Sequence, residues 1–131
     1  MKIDWSKFKE MGEKQVGKPY IFGVETNLKD PNPKAFDCSE LVEWLYAQVG
    51  VVVPDGSMNQ YNQSVPVADP RLGDVGFFKK PNSPTHHVGV LWNDKWVLEA
   101  RGEPFNKVFL REKARWDAWK EFTGWRRFKI L

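Results

Sequence analysis

The sequence predicts one α+β domain, N-terminal helices packed on an antiparallel sheet. Two observations carry that reading. Helical spacing of apolar residues dominates the first half of the chain, and after Leu72 the pattern shifts to short runs with a period of two. A third is length: 131 residues suit one domain spanning 1–131, with no repeat or linker to divide them.

The elements follow in chain order. Asp4 suits the cap of a first helix running towards Gln15, with Trp5, Phe8 and Met11 or Gly12 on one face. Gly17 to Gly23 reads as a loop or short extended piece. Residues 25–35, polar with two prolines, read as an irregular surface loop. Asp37 then caps the clearest helix, and Glu40 three positions on makes a capping-box-like start. Leu41, Trp44 or Leu45, and Gln48 or Val49 continue it, and Gly50 stops it. Ser57 and Gln60 repeat the cap pattern for a shorter helix.

Strands are expected over 74–79, 87–92, 95–100 and 107–110, with Asn93-Asp94 as a hairpin turn between the second and third. A short helix over 116–122 and a last strand over 125–130 complete the chain. Pairing centred on the Asn93-Asp94 turn sets residues whose numbers sum to roughly 187 opposite one another. His87 then meets the neighbourhood of Ala100, with Glu99 or Arg101 close by.

Composition excludes several classes of function. A net charge of +3 with scattered basic residues is no nucleic-acid footprint, although it favours approach to an anionic polymer. No stretch approaches the roughly 20 apolar residues that span a bilayer. The N-terminus shows no signal-peptide run, so the expectation is action where the protein is made, another export route, or a domain cut from a longer chain. One cysteine allows no internal disulfide. Cys38, His86 and His87 lack the paired spacing of zinc ligands, so no metal and no cofactor are expected.

The chemistry-bearing residues are Cys38, His87 and Glu99. Cys38 falls at the first position of its helix, where unpaired backbone N–H groups and the helix dipole favour a thiolate. Only one of His86 and His87 can face the thiol, since strand neighbours point to opposite faces. Of the two polar candidates on the next strand, only Glu99 can accept the imidazole N–H. Asp37 also has a plain role as a helix cap, and the Trp116, Trp119 and Trp125 cluster reads as core packing.

Four segments carry a resemblance. Lys18-Pro-Tyr-Ile-Phe-Gly23, Phe36-Asp-Cys-Ser-Glu-Leu-Val42, Leu72-Gly-Asp-Val-Gly-Phe-Phe78 and His87-Val-Gly-Val90 resemble, in order and rough spacing, the NlpC/P60 family of papain-like cysteine peptidases acting on bacterial cell walls. Gly124-Trp-Arg-Arg127 is similar to the family's ending. The resemblance implies a papain-like NlpC/P60 fold, with Cys38 as nucleophile, His87 as base and Glu99 where the family most often has His. It implies that Tyr20 positions substrate or the oxyanion, and that Asp37 and Ser39 contact the peptide's amino-terminal side.

The implied activity is cleavage of the stem or cross-bridge peptide of peptidoglycan, with that peptide as partner. A catalytic domain without a signal or wall-binding repeat suggests a phage lysin or tail component, working beside other phage or cell-wall modules, or a fragment of a larger hydrolase. The sequence departs from the family at Val24, Glu40, Glu99 and the insertion over 25–35. A CHAP-like amidase and a catalytically inactive wall-binding or scaffold domain are the competing expectations. An LRAT-like acyltransferase is disfavoured, because there the histidine precedes the cysteine.

Overall fold

The computed structural model describes residues 2–79, 81 and 85–131. Helix α1 (Trp5–Glu13) starts at Asp4, whose carboxylate accepts the amide N–H of Lys7 at 3.0 Å. Helix α2 (Cys38–Gln48) starts at Asp37, and Oδ1 accepts the amide N–H of Glu40 at 2.9 Å. The capping box closes only halfway. The Glu40 side chain turns to the amide N–H of Thr26 at 3.1 Å, tying down the loop before the helix. Gly50 ends the helix with φ +78°, a conformation that costs glycine little.

Helix α3 (Ser57–Asn62) has no side-chain cap. Ser57 instead donates to the carbonyl of Thr85 at 3.2 Å. Gln60, expected to complement that cap, is buried and donates to the carbonyls of Ser39 and Pro54. These bonds anchor α3 under the first turn of α2.

Six strands follow: β1 (Ser64–Pro66), β2 (Val75–Lys79), β3 (Thr85–Leu91), β4 (Trp96–Arg101), β5 (Lys107–Glu112) and β6 (Phe122–Phe128). They form one antiparallel sheet in the order β1-β6-β2-β3-β4-β5. The three-residue β1 carries too little pattern to be read from sequence. Helix α4 is a single turn, Lys113–Asp117. It starts three residues before the expected helix, and β6 begins at Phe122 where that helix was to end.

Each face of the sheet has its own core. Phe77, Val88, Val90, Leu98 and Ala100 pack with Phe8, Leu41, Val42, Leu45 and Tyr46 of α1 and α2. On the other face Phe78, Leu91 and Val97 pack with Trp116 and Trp125. Gly76 and Gly89 face each other across β2 and β3. A Cβ on Gly89 would lie 2.6 Å from the Trp116 ring, and one on Gly76 2.7 Å from Phe122. Two missing side chains thus make the hollow that the aromatic rings fill.

The β3–β4 register is one residue away from the expected one. Val90 faces Leu98 and Leu91 faces Val97. The loop holds Asn93, Asp94 and Lys95, because Asn93 Oδ1 accepts the amides of Lys95 and Trp96, each at 2.9 Å. A one-residue slip exchanges the faces of a strand. Continued along the strands, this register sets His87 beside Arg101, and Glu99 falls on the face of His87. The expected register would have turned Glu99 away.

Candidate active site

Cys38 is the first residue of α2, and its half-buried side chain packs against the helix-side core. The sulfur meets the backbone N–H groups of Val88, Ser39 and Cys38 itself, which favour its anion. Burial and then the neighbouring Asp37 charge outweigh them and push the thiol up to about 11. The helix-end amides favour the anion as expected, and desolvation outweighs them.

Val88 is the residue after His87, so the sulfur touches β3 next to the imidazole. Alternation points Val88 into the helix-side core and His87 to the other face. The paired residues of β3 and β4 are Val90, Leu91, Val97 and Leu98.

His87 is 8% exposed and stacks on Phe78 and beside Trp116, with ring centroids 5.6 and 5.5 Å away. Its Nε2 lies 3.0 Å from Glu99 Oε1. Burial favours the neutral ring and lowers its proton affinity below the ordinary value, although Glu99 pulls the other way. Glu99 is fully buried, a position that by itself would favour its protonated form. His87, Arg101 and Trp116 outweigh that penalty and hold the carboxyl below the usual range. Glu99 is thus a carboxylate accepting from Nε2–H, which leaves Nδ1 as the imidazole's lone-pair nitrogen.

Two further residues lock Glu99. Arg101 Nε donates to the same Oε1 at 2.5 Å, and Trp116 Nε1 donates to Oε2 at 2.5 Å. Arg101 had a sequence signal: two residues after Glu99 on one strand, it shares that residue's face. Trp116 had none, because it reaches Glu99 from α4 across the far side of the sheet. Trp116 packs the core as expected and adds this bond to Glu99.

Tyr20 reaches the site through backbone pairing. Phe36 N–H donates to the Pro19 carbonyl at 3.1 Å and Ile21 N–H to the Phe36 carbonyl at 3.0 Å, which lays Tyr20 alongside the entry to α2. Burial, then the charges of Cys38 and Asp37, push its phenol up to about 12, so it remains a hydroxyl able to donate. Asp37 spends Oδ1 on the helix cap and on the Ser39 hydroxyl at 3.2 Å. Ser39 is 8% exposed, and its side chain faces back into that cap. His86 is exposed, as expected of a neighbour on the opposite face.

Among the described residues, the trio that could offer a cation three oxygens is Glu25, Glu40 and Asp55. Burial, followed by a hydrogen bond with Asp55, pushes Glu40 up to about 8. Burial and then the Asp55 charge push Glu43 to about 7. Among the described residues, no helix is long and apolar enough to cross a membrane.

The chain matches the NlpC/P60 family over residues 17–123. It is 36% identical over 98 residues to the peptidoglycan endopeptidase RipB of Mycobacterium tuberculosis, covering 67% of this chain and 39% of that protein. It is 31% identical over 125 residues to a gamma-DL-glutamyl hydrolase of Bacillus subtilis, covering 91% of this chain and 28% of that one. The chain spans 37% to 39% of the first curated relatives that it matches. The solved structure of RipB superposes with a TM-score of 0.74 at 29% identity, covering 96% of this chain and 64% of that chain. The P60 domain of an antigen from M. avium subspecies paratuberculosis gives 0.75 at 27% identity, covering 96% and 94%.

Proposed function

This chain belongs to the NlpC/P60 family, and from that premise we propose that it is a cysteine hydrolase cleaving peptide bonds in the stem or cross-bridge of peptidoglycan. The observation that carries the reading is the buried His87–Glu99 pair, 3.0 Å apart, with His87 one residue before Val88, whose amide favours the Cys38 anion. The peptidoglycan endopeptidases and the glutamyl hydrolase among its relatives support the substrate class.

The steps follow from the protonation states. Cys38 rests as a thiol and His87 as a neutral base, so attack is coupled to proton transfer from sulfur to Nδ1. The thiolate sulfur bonds to the substrate carbonyl, and the resulting oxyanion is met by the Cys38 backbone N–H at the helix end. The Tyr20 hydroxyl is the second donor within this cluster. The imidazolium then protonates the leaving amine as the C–N bond breaks, giving a thioester. Water, losing its proton to His87, hydrolyses the thioester and returns the thiol. Glu99 holds the ring in the useful tautomer throughout. Asp37 meets the amino-terminal side of the peptide. Ser39, whose hydroxyl donates to Asp37, meets the same side of the peptide.

Digestion of purified peptidoglycan followed by mass analysis of the fragments, with Cys38→Ala as control, tests this. Peptide-bond products absent from the control support it. Release of whole stems from the glycan would identify an amidase instead, and no products would leave a wall-binding or scaffold domain. The site of action under this reading is the cell wall. The reported relatives are bacterial proteins and lend a virion role no support.

A further inference from the structure

The geometry points to Arg111 as a specificity residue that takes a carboxylate on the leaving-group portion of the substrate peptide; this rests on the hydrolase reading above. Arg101 is paired with Glu99. The guanidinium of Arg111 has no hydrogen-bond or carboxylate partner among the described residues. It lies 4.9 Å from the centroid of Phe105 and 5.2 Å from that of Trp119. Arg101 lies over the same two rings, at 6.0 and 4.6 Å. Two guanidinium groups thus share one aromatic floor with a single carboxylate, Glu99, bonded to either. A second anion there would relieve the repulsion between them.

Position says which part of a substrate that anion belongs to. His87 gives its proton to the leaving amine, so the leaving portion lies on the imidazole side of the sulfur. The cavity there, about 230 Å³, is lined by Tyr20, Phe78, His87, Arg101 and Trp119 among others. Trp119 also lines an open cleft of about 590 Å³ with Arg111, Ala114, Arg115 and Ala118. A peptide leaving past His87 therefore crosses Trp119 and arrives at Arg111. The other charges along this path do not cancel that cation. Glu112 is drawn to Arg115 at 3.6 Å, and Glu103 and Glu121 line the His87 cavity rather than the cleft. The anion that a stem peptide carries is a carboxylate, and a guanidinium fork matches its two oxygens.

The probe is the tripeptide L-alanyl-γ-D-glutamyl-L-lysine with a free terminal carboxylate, compared with its terminal carboxamide. Calorimetry on the Cys38→Ala protein reads binding without turnover. The carboxylate peptide should bind about tenfold more tightly, the value of one charge-assisted hydrogen bond. Arg111→Gln in that background should erase the preference, and Arg111→Lys should keep part of it. Equal affinities in the parent protein, no binding of either peptide, or a preference that survives Arg111→Gln would overturn the assignment. Should Arg111→Gln fail to fold, the parent comparison and Arg111→Lys decide. Hydrolysis by the unmodified chain is measured separately. Turnover without carboxylate preference removes only the role of Arg111, whereas no cleavage of either tripeptide or of peptidoglycan removes the hydrolase reading itself.

Discussion

His87 and Arg101 share one oxygen of Glu99: imidazole Nε2 lies 3.0 Å from Oε1 and guanidinium Nε 2.5 Å from it. A catalytic histidine is usually made more basic by its carboxylate. Here Glu99 raises the proton affinity of the buried ring while Arg101, on the same oxygen, lowers it.

Removing that cation should therefore shift the pH dependence of the reaction. Arg101 opposes protonation of His87, so Arg101→Gln raises the imidazole pKa. The acid limb of kcat/KM, which reports His87 losing its proton, should move to higher pH by about one unit. An unmoved limb would mean that Arg101 serves packing alone.

Glu99→Gln keeps the shape and loses the charge. It leaves Arg101 without its anion inside the fold, at a cost of about 3 kcal/mol in unfolding free energy. The amide also gives Nε2–H a poorer acceptor and frees the ring to take the wrong tautomer. We expect kcat to fall about 100-fold or more while KM changes little. Steady-state kinetics together with denaturant unfolding separate the two effects.

Cys38 should alkylate slowly at neutral pH, because burial and Asp37 hold it as a thiol up to about 11. The rate with iodoacetamide should climb steadily between pH 7 and 10. A plateau near neutrality would indicate a resting thiolate–imidazolium pair and would overturn the coupled proton transfer proposed above.

The carboxyl cluster beside α2 predicts a stability effect of opposite sign to ordinary acid denaturation. The folded-state pKa of Glu40 is raised to about 8, so the native state holds a proton there that the unfolded chain has released. Its contribution is full below about pH 4.5 and is lost as pH rises towards 8. Glu40→Gln retains an acceptor for the Thr26 amide and removes that dependence. Its Tm should exceed that of the parent by about 4 °C at pH 8 and match it at pH 5. Thermal melts at the two pH values check this.

Much of the site was legible in the residues themselves. Asp37 caps α2 as its side-chain chemistry demands, which delivers Cys38 to a helix end wherever that helix packs. The alternation of β3 required that only one of the two histidines face inward. Legibility stopped where a distant element decides. Counting residues around Asn93-Asp94 suggested a two-residue turn, but Asn93 accepts two amides and widens the loop by one. That residue determines whether Glu99 meets His87 at all.

From the sequence alone came the order of Cys38, His87 and Glu99, and the local backbone that presents each, because capping and strand alternation act over a few neighbouring residues. The fold alone decided that burial raises the thiol pKa, that Trp116 grips Glu99 from the distant α4, and that Arg101 shares its oxygen. Desolvation and ion pairing depend on what lies across the sheet, and no local pattern encodes that.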